Sequence, residues 1–234
     1  MTDKLPLILV PGLLCTEALY KPVLGALAEV SAPDVAVAQT QHDALPAIAA
    51  AILAQAPPRF ALAGLSMGGH IAQEMMRQAP GRIVKLALLD TSGRADTPEQ
   101  TSRRRGLIQL AEMGEFKGVT PRLLPLLVHP ARLEDAPLCD AISAMAAEVG
   151  KAGFLRQQKA IMARIDSRES LKAITCPTLV LVGRQDMLTP VGHAEEMASL
   201  IKGAELEILE DCGHMSPMEK PKSTAAALLR WLRS

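Results

Sequence analysis

The sequence predicts an α/β fold, a doubly wound and mostly parallel sheet of about six strands. Short apolar runs rich in Val, Ile and Leu recur along the chain and are bounded by Gly and Pro. Their hydrophobicity is continuous rather than alternating, which is typical of strands buried on both faces. Amphipathic segments with helical spacing separate the runs, and strand alternating with helix is the pattern of a doubly wound sheet.

Each predicted strand is one of these apolar runs. In chain order, the predicted strands span residues 5–10, 35–39, 60–64, 84–90, 178–183 and 206–209. The clearest helical patterns span residues 45–56, 66–78, 191–201 and 223–232. These segments define a core domain, which we expect to comprise residues 1–92 and 173–234.

A different pattern fills the middle of the chain, because the strand–helix alternation stops after Asp90 and resumes near Cys176. Thr97-Pro98-Glu99 is a typical helix start, with Pro at the first helical position. A structureless loop of roughly 80 residues would be implausible in a compact domain. We therefore expect residues 93–172 to form a helical lid over the sheet. Apolar residues at helical spacing support this: Leu107, Leu110, Ala111, Ile161, Met162 and Ile165.

The composition excludes several classes of function. Lys plus Arg and Asp plus Glu both number 25, so no net field favours nucleic acid or an anionic membrane. The dense basic run at residues 103–105 is interpreted as a solvated helix face. Three Phe, one Tyr and one Trp are too few for a nucleic-acid stacking groove. No metal-ligand spacing or phosphate loop occurs, so we expect neither a metal nor a cofactor.

The cysteines and apolar runs bear on localisation. The four cysteines have neither C-x-x-C spacing nor disulfide-rich density, and reduced thiols in a cytoplasmic protein fit best. The apolar stretch at residues 5–14 is interrupted by Pro and Gly, so it indicates a strand and loop rather than a signal peptide. No apolar run approaches the roughly 18 residues of a membrane span. The oligomeric state stays open, with a homodimer as one option.

Gly64-Leu65-Ser66-Met67-Gly68 matches the pattern G-x-S-x-G, and its surroundings give the match its weight. A predicted strand enters it and a predicted helix leaves it, which is the setting of a nucleophile elbow. Such a turn holds the serine hydroxyl at the carboxyl edge of the sheet, beside a helix N-terminus that favours developing negative charge. Ser66 is therefore the predicted nucleophile.

A serine hydroxyl needs a base within hydrogen-bonding reach. His214 follows the last predicted strand, within Asp211-Cys212-Gly213-His214-Met215, at the edge where catalytic groups gather in such sheets. His214 is therefore the predicted base. The other histidines lie in loop-like sequence, at a helix start, or on a helix pointing away from the hydroxyl: His42, His70, His129 and His193.

The acid that orients the base should lie between Ser66 and His214 in sequence, after another strand. Asp186 does so, at the end of Gly183-Arg184-Gln185-Asp186. Asp90 ends the preceding strand at the same edge and is a competitor, although it also suits a cap for the following turn. We predict Asp186 and keep Asp90 as the alternative.

Two backbone amides are predicted to form the oxyanion hole. The amide of Met67 follows the nucleophile directly. The second donor should come from the loop after the first strand, Pro11-Gly12-Leu13-Leu14. Leu13 is the predicted residue, because Gly12 permits the turn that aims this amide inward.

These motifs resemble the α/β-hydrolase superfamily across nearly the whole chain. The resemblance is carried by Leu-Val-Pro-Gly-Leu-Leu, Gly-Leu-Ser-Met-Gly-Gly, Gly-Arg-Gln-Asp and Cys-Gly-His-Met, in that order. It implies a small serine hydrolase of the esterase or enol-lactonase kind, whose lid is the segment 93–172. Pro11-Gly12 replaces the usual His-Gly, and residues 39–43 replace a common Gly-rich loop. We also expect the N-terminal antiparallel hairpin of many members to be absent.

The expected activity is hydrolysis of a small carboxylic ester, thioester or lactone through an acyl-enzyme on Ser66. One alternative is an acyltransferase or lyase that uses the same three side chains with a different second substrate. A further alternative is a ligand-binding scaffold that turns over slowly. In each case the expected partner is a small molecule.

Overall fold

The computed structural model describes residues 4–234, apart from the side chain of Gln39. In this part of the chain six strands form one sheet in which every pairing is parallel, so the predicted fold class is confirmed. The strands are β1 Leu5–Val10, β2 Ser31–Val35, β3 Phe60–Leu65, β4 Ile83–Leu89, β5 Thr178–Gly183 and β6 Glu205–Leu209. Their order across the sheet is β2-β1-β3-β4-β5-β6.

The second strand is displaced from its predicted position at residues 35–39. β2 ends at Val35, and residues 38–40 form a 3-10 turn instead. β2 is an edge strand beside β1, so one of its faces is exposed and its burial alternates. Continuous hydrophobicity therefore does not mark it, and Val37 beyond its end is 52% exposed. Pro33 is tolerated because an edge strand leaves some amides unpaired.

Helices cover both faces of the sheet. One face carries α1 and α10, and the other carries α2, α3 and α8. In chain order the helices of the described residues are α1 Lys21–Leu27, α2 Leu45–Gln55, α3 Met67–Gln78, α4 Pro98–Leu110, α5 Leu124–Leu127, α6 Ala136–Met162, α7 Arg168–Leu171, α8 Val191–Leu200, α9 Ser216–Glu219 and α10 Pro221–Arg233.

Successive strand residues face opposite helical layers, because side chains alternate along a strand. In β1, Ile8 and Val10 join the core beneath α2, α3 and α8. Leu7 and Leu9 join the core beneath α1 and α10. Both faces of the central strands are therefore buried, which accounts for their unbroken apolar sequence.

The strand order reverses at β1, and this reversal positions the site. The chain runs from β1 outward to β2, then returns across β1 to β3 and continues to β4. β1 leads to α1 on one face of the sheet, whereas β3 leads to α3 on the other. The carboxyl ends of β1 and β3 are therefore the place where a ligand is expected to bind, as in other open α/β sheets.

Residues 93–172, called the cap segment below, contain α4 to α7 and no strand. Thr97 begins α4 with a capping box, in which its side chain and that of Gln100 bond each other's backbone. The chain turns sharply where glycines have positive φ, at Gly114 (93°) and at Gly150 (66°) inside α6. The apolar faces expected here are only partly buried, because Leu110 is 51% and Ile165 58% exposed.

The interpretation of residues 103–105 as a solvated run is wrong for its middle member. Arg104 donates from Nε to Asp96 Oδ2 at 2.8 Å and from Nη1 to Gln158 Oε1 at 2.9 Å, whereas Arg103 and Arg105 are exposed. The buried carboxylate of Asp96 also accepts a hydrogen bond from Arg164. Arg104 therefore fastens α4 to α6.

Candidate active site

Ser66 stands between the end of β3 and the first residue of α3, with φ 56° and ψ −115°. This left-handed backbone is strained for a residue with a side chain, so neighbouring groups must hold it. Its N–H donates to Leu89 O at 2.9 Å, and its carbonyl accepts from Gly69 N at 2.9 Å and from Thr91 Oγ1 at 2.8 Å. These bonds fix the sharp turn expected of a nucleophile elbow.

Both glycines of the G-x-S-x-G pattern are required by close backbone contacts. A Cβ atom at Gly64 would lie 2.2 Å from Gly68 O, and one at Gly68 would lie 2.0 Å from Val10 O. Neither neighbour can yield, because both are main-chain oxygens. The tight packing of α3 against β1 and β3 therefore depends on these two positions lacking side chains.

The loop after β1 lies directly beside Ser66, since a Cβ atom at Gly12 would be 3.3 Å from Ser66 Cβ. Met67 is the first residue of α3, so its amide has no partner within the helix. The amide of Leu13 donates to no group among the described residues. The amide of Leu14 is already engaged, because it donates to Gln157 Oε1 at 3.0 Å. The predicted oxyanion amides, those of Leu13 and Met67, are therefore not engaged in these contacts.

His214 and Asp186 form a buried pair after β6 and β5. His214 Nδ1 lies 2.8 Å from Asp186 Oδ2, and each residue is 3% exposed. The other oxygen, Oδ1, accepts from the amides of Leu188 at 2.8 Å and Thr189 at 2.9 Å. Oδ2 also accepts from Thr189 Oγ1 at 2.6 Å. An acceptor held in this way favours the tautomer with the imidazole proton on Nδ1, which leaves Nε2 unprotonated.

The charges of this pair stabilise each other. Burial alone would lower the pKa of His214. The charge of Asp186 and its hydrogen bond, together with the charges of Asp90 and Glu219, raise that pKa above its ordinary value. Burial would raise the pKa of Asp186, and the same partner, with the bonds from Thr189, lowers it. Asp186 is therefore ionised at neutral pH.

Asp90, the competing acid, is fully buried and is engaged elsewhere. Its Oδ1 accepts from Gly183 N at 2.9 Å, and its Oδ2 accepts from Ser216 Oγ at 2.5 Å. Among the described residues it has no hydrogen bond to His214. Burial first, and then the charge of Asp186, raise the pKa of Asp90 to about 8. Asp90 thus joins the ends of β4 and β5 to the loop that carries His214.

Glu219 braces the His214 loop and was missed in the sequence. Its buried carboxylate accepts from Gly213 N at 3.1 Å and Met215 N at 3.0 Å, the two amides that flank His214. It also accepts from His129 N of the cap segment at 2.7 Å. The amide of His214 itself donates to Leu127 O at 3.0 Å. The cap segment therefore helps to shape the His214 loop.

The remaining histidines have other surroundings, and none hydrogen-bonds Asp186 or Asp90 in residues 4–234. The pKa of His70 is well below its ordinary value, because burial and the nearby guanidinium of Arg164 disfavour its charged form. His129 Nδ1 accepts from the amide of Ala131 at 3.1 Å. Burial also lowers the pKa of His193 on α8.

Neither a metal site nor a membrane-spanning helix is present in residues 4–234. No group of three His, Cys, Asp or Glu side chains is placed to hold a metal ion. None of the helices is both long and apolar enough to span a membrane.

Comparison with known proteins assigns the family. A sequence model of the alpha/beta hydrolase family matches residues 7–227. The chain belongs to this family. A thermophilic esterase from Thermogutta terrifontis has a similar structure, with a TM-score of 0.87 and 27% identity, covering 99% of this chain and 90% of that one. The resemblance inferred from the sequence motifs is thereby confirmed.

Curated relatives of this alpha/beta hydrolase are named as enzymes that act on esters. Monoacylglycerol lipase abhd6-A of Xenopus laevis is 30% identical over 190 residues, which are 75% of this chain and 55% of that protein. The chain thus spans about half the length of the lipases that it matches. Pimeloyl-[acyl-carrier protein] methyl ester esterase of Nitrosomonas europaea is 27% identical over 188 residues, 77% of this chain and 74% of that protein.

Proposed function

We propose that this protein hydrolyses a small carboxylic ester, thioester or lactone through an acyl-enzyme on Ser66. The observation that carries the proposal is the buried hydrogen bond between His214 and Asp186, at the same edge of the sheet as the strained turn of Ser66. A nucleophile and a base oriented by a carboxylate are the parts that acyl transfer requires. The names of the relatives support an ester as the substrate class.

The groups of this site share the steps of the reaction. Ser66 Oγ attacks the substrate carbonyl carbon while His214 Nε2 takes the hydroxyl proton. The amides of Leu13 and Met67 donate to the oxyanion of the tetrahedral intermediate. The imidazolium is stabilised by Asp186 and returns the proton to the leaving group, so that an acyl ester of Ser66 remains. A water molecule, deprotonated by His214, then releases the acid and restores the serine.

Labelling with a fluorophosphonate tests whether Ser66 is activated, because this reagent reacts with a nucleophilic serine. We expect a single adduct on the Ser66 peptide by mass spectrometry and, in parallel, hydrolysis of short-chain esters or lactones. Product analysis with an added alcohol acceptor distinguishes a hydrolase from an acyltransferase, which would form the new ester instead of the free acid. A folded protein that takes up no label would contradict the proposal.

The pH dependence follows from the pKa of His214. The base must be neutral, so kcat/KM falls as pH drops through that pKa. Because the folded protein raises this pKa, we expect the acid limb to have its midpoint above the ordinary value of about 6.5. Initial rates between about pH 5 and pH 9 at low substrate concentration would measure it. Full activity well below the ordinary value would identify another group as the base.

The cap segment is proposed to control acyl preference as a lid. Phe154 of α6 is 7% exposed and packs in a small apolar cluster with Leu14, next to the oxyanion loop. Phe154→Leu should change the ratio of kcat/KM between long and short acyl esters by roughly tenfold, since it alters pocket volume. Met113→Ala is the matched control, because this cap residue is 79% exposed. An equal loss for all chain lengths would contradict a role in selection.

A further inference from the structure

Gln157 connects the cap segment to the oxyanion loop. It lies on α6, is fully buried, and accepts the amide N–H of Leu14 on Oε1 at 3.0 Å. Leu14 has a positive φ of 58°, a backbone conformation that needs such support. Since Leu13 precedes it and Gly12 lies against Ser66, this bond helps to set where the Leu13 amide is directed.

The other end of the Gln157 side-chain amide, its Nε2 atom, has no hydrogen-bond partner among the described residues. Gln157 Nε2 is buried and donates no hydrogen bond within the described residues. Rotating the amide by half a turn would set its NH2 group against the N–H of Leu14, two donors facing each other. Oε1 must therefore face Leu14, and the unpartnered atom must be the donor. A buried donor without an acceptor loses its hydration and gains nothing in exchange.

The residues one turn away from Gln157 on α6 are apolar and buried, so an unpaired donor is unusual at this position. Phe154, three residues earlier on α6, packs with Leu14 and Ala146, and Ile161, four residues later, is buried. A methionine would fill such an apolar position without leaving a donor unpaired. Because the two atoms of an amide share one carbon, Nε2 is also adjacent to the oxyanion loop. An acceptor that reaches it there can come from a molecule bound at the site.

We propose that Gln157 is a substrate-binding residue whose Nε2 donates to an acceptor oxygen of the acyl group. The inference rests on the proposed function and narrows its substrate class to esters whose acyl group carries a keto, hydroxyl or carboxyl oxygen close to the scissile carbonyl. The bond from Leu14 to Oε1 has a separate role, because it holds the loop that supplies the Leu13 amide. One side chain thereby aligns the substrate and the oxyanion hole.

Two esters of the same alcohol test the proposal: a butanoate and a 3-oxobutanoate, which differ by one acceptor oxygen. The quantity measured is the kcat/KM ratio of the 3-oxo ester to the plain ester. Dividing the wild-type ratio by the variant ratio cancels the intrinsic reactivity of the two esters. We expect Gln157→Met to reduce the ratio roughly tenfold, the effect of losing one hydrogen bond at a buried site.

Two companion variants make the outcome interpretable. Gln158→Met is the matched control, because Gln158 is the next residue, is 1% exposed and bonds Arg104 instead of the oxyanion loop. Its ratio should stay at the wild-type value. Gln157→Glu keeps an oxygen for the Leu14 amide, so it should retain more butanoate activity than Gln157→Met while losing the preference. If Gln157→Met does not fold, the kcat/KM ratio of the two esters is measured with Gln157→Glu instead.

An unchanged ratio in both folded Gln157 variants, with both esters slowed equally, would overturn the inference and leave Gln157 as a brace of the loop alone. The proposed function would survive that result, because Ser66 would still be labelled and the plain ester still cleaved. If wild-type protein takes up no fluorophosphonate and cleaves neither ester, the proposed function fails and the inference fails with it. The labelling result therefore separates the two failures.

Discussion

Replacing Asp186 with asparagine is expected to lower kcat by roughly 10⁴-fold while KM changes little, as the same exchange does in serine proteases. The hydrogen bonds of the Asp186 carboxylate determine how the asparagine amide would be oriented. Oδ1 faces the amides of Leu188 and Thr189, so the carbonyl oxygen of the new amide must remain there. Its NH2 group must then face His214 Nδ1. The imidazole would turn to the tautomer with its proton on Nε2, which cannot accept a proton from Ser66.

Asp90→Asn provides the matched comparison, because Asp90 also follows a strand at this edge. An asparagine there can accept from Gly183 N and donate to Ser216 Oγ, and it tolerates the positive φ of 44°. Because burial raises the pKa of Asp90, exchanging it for a neutral amide removes less charge than the same exchange at Asp186, whose pKa is lowered. We expect nearly normal kcat and at most about 1 kcal/mol of lost stability. The reverse result, with Asp90→Asn inactive and Asp186→Asn active at equal melting temperatures, would make Asp90 the acid.

Ser66→Ala should abolish ester hydrolysis, with a loss on the order of 10⁶-fold in kcat, the size seen when a catalytic serine is removed. The fold should survive, because the bonds that hold the turn come from main-chain atoms of residue 66 and not from its hydroxyl. The Ser66 side chain does not cap α3 either. Steady-state turnover, fluorophosphonate uptake and the melting temperature should be measured together on the purified variant.

The control for this exchange is Ser199→Ala, a serine on the exposed surface of α8. It should keep wild-type turnover and labelling. Ester cleavage at the wild-type rate by folded Ser66→Ala protein would show that another nucleophile does the chemistry. A large fall in melting temperature for Ser66→Ala would instead indicate that the hydroxyl has a structural role.

Local patterns predicted the central strands and the positions of the chemical groups. β1, β3, β4 and β5 are covered on both faces, so their hydrophobicity is unbroken and easily recognised. Ser66, Asp186 and His214 each follow one of the strands, and strand ends can be located from the sequence. β2 was misplaced because an edge strand is only half covered, and a longer apolar run lies just beyond it.

Contacts across long sequence separations could not be predicted in this way. Gln157 accepts a hydrogen bond from Leu14, which lies 143 residues earlier in the sequence. Nothing in the helical pattern of α6 distinguishes Gln157 from its neighbour Gln158. Glu219 lies five residues after His214, but its role depends on amides that the turn of α9 brings around it. The hydrogen-bond partners of Asp90 and Asp186 could not be predicted either, because both are aspartates after neighbouring strands.

The attachment of the cap segment to the His214 loop limits how such a segment can be exchanged. A cap taken from another family member would have to supply a carbonyl where Leu127 O now accepts the His214 amide, and an N–H where His129 bonds Glu219. Without them a graft would leave Glu219 as a buried charge with one donor fewer, and the histidine loop would loosen. Leu110 and Met113 make neither of these hydrogen bonds, and both side chains are largely exposed. Diversification of this protein is therefore least constrained at the end of α4 and most constrained at residues 127–129.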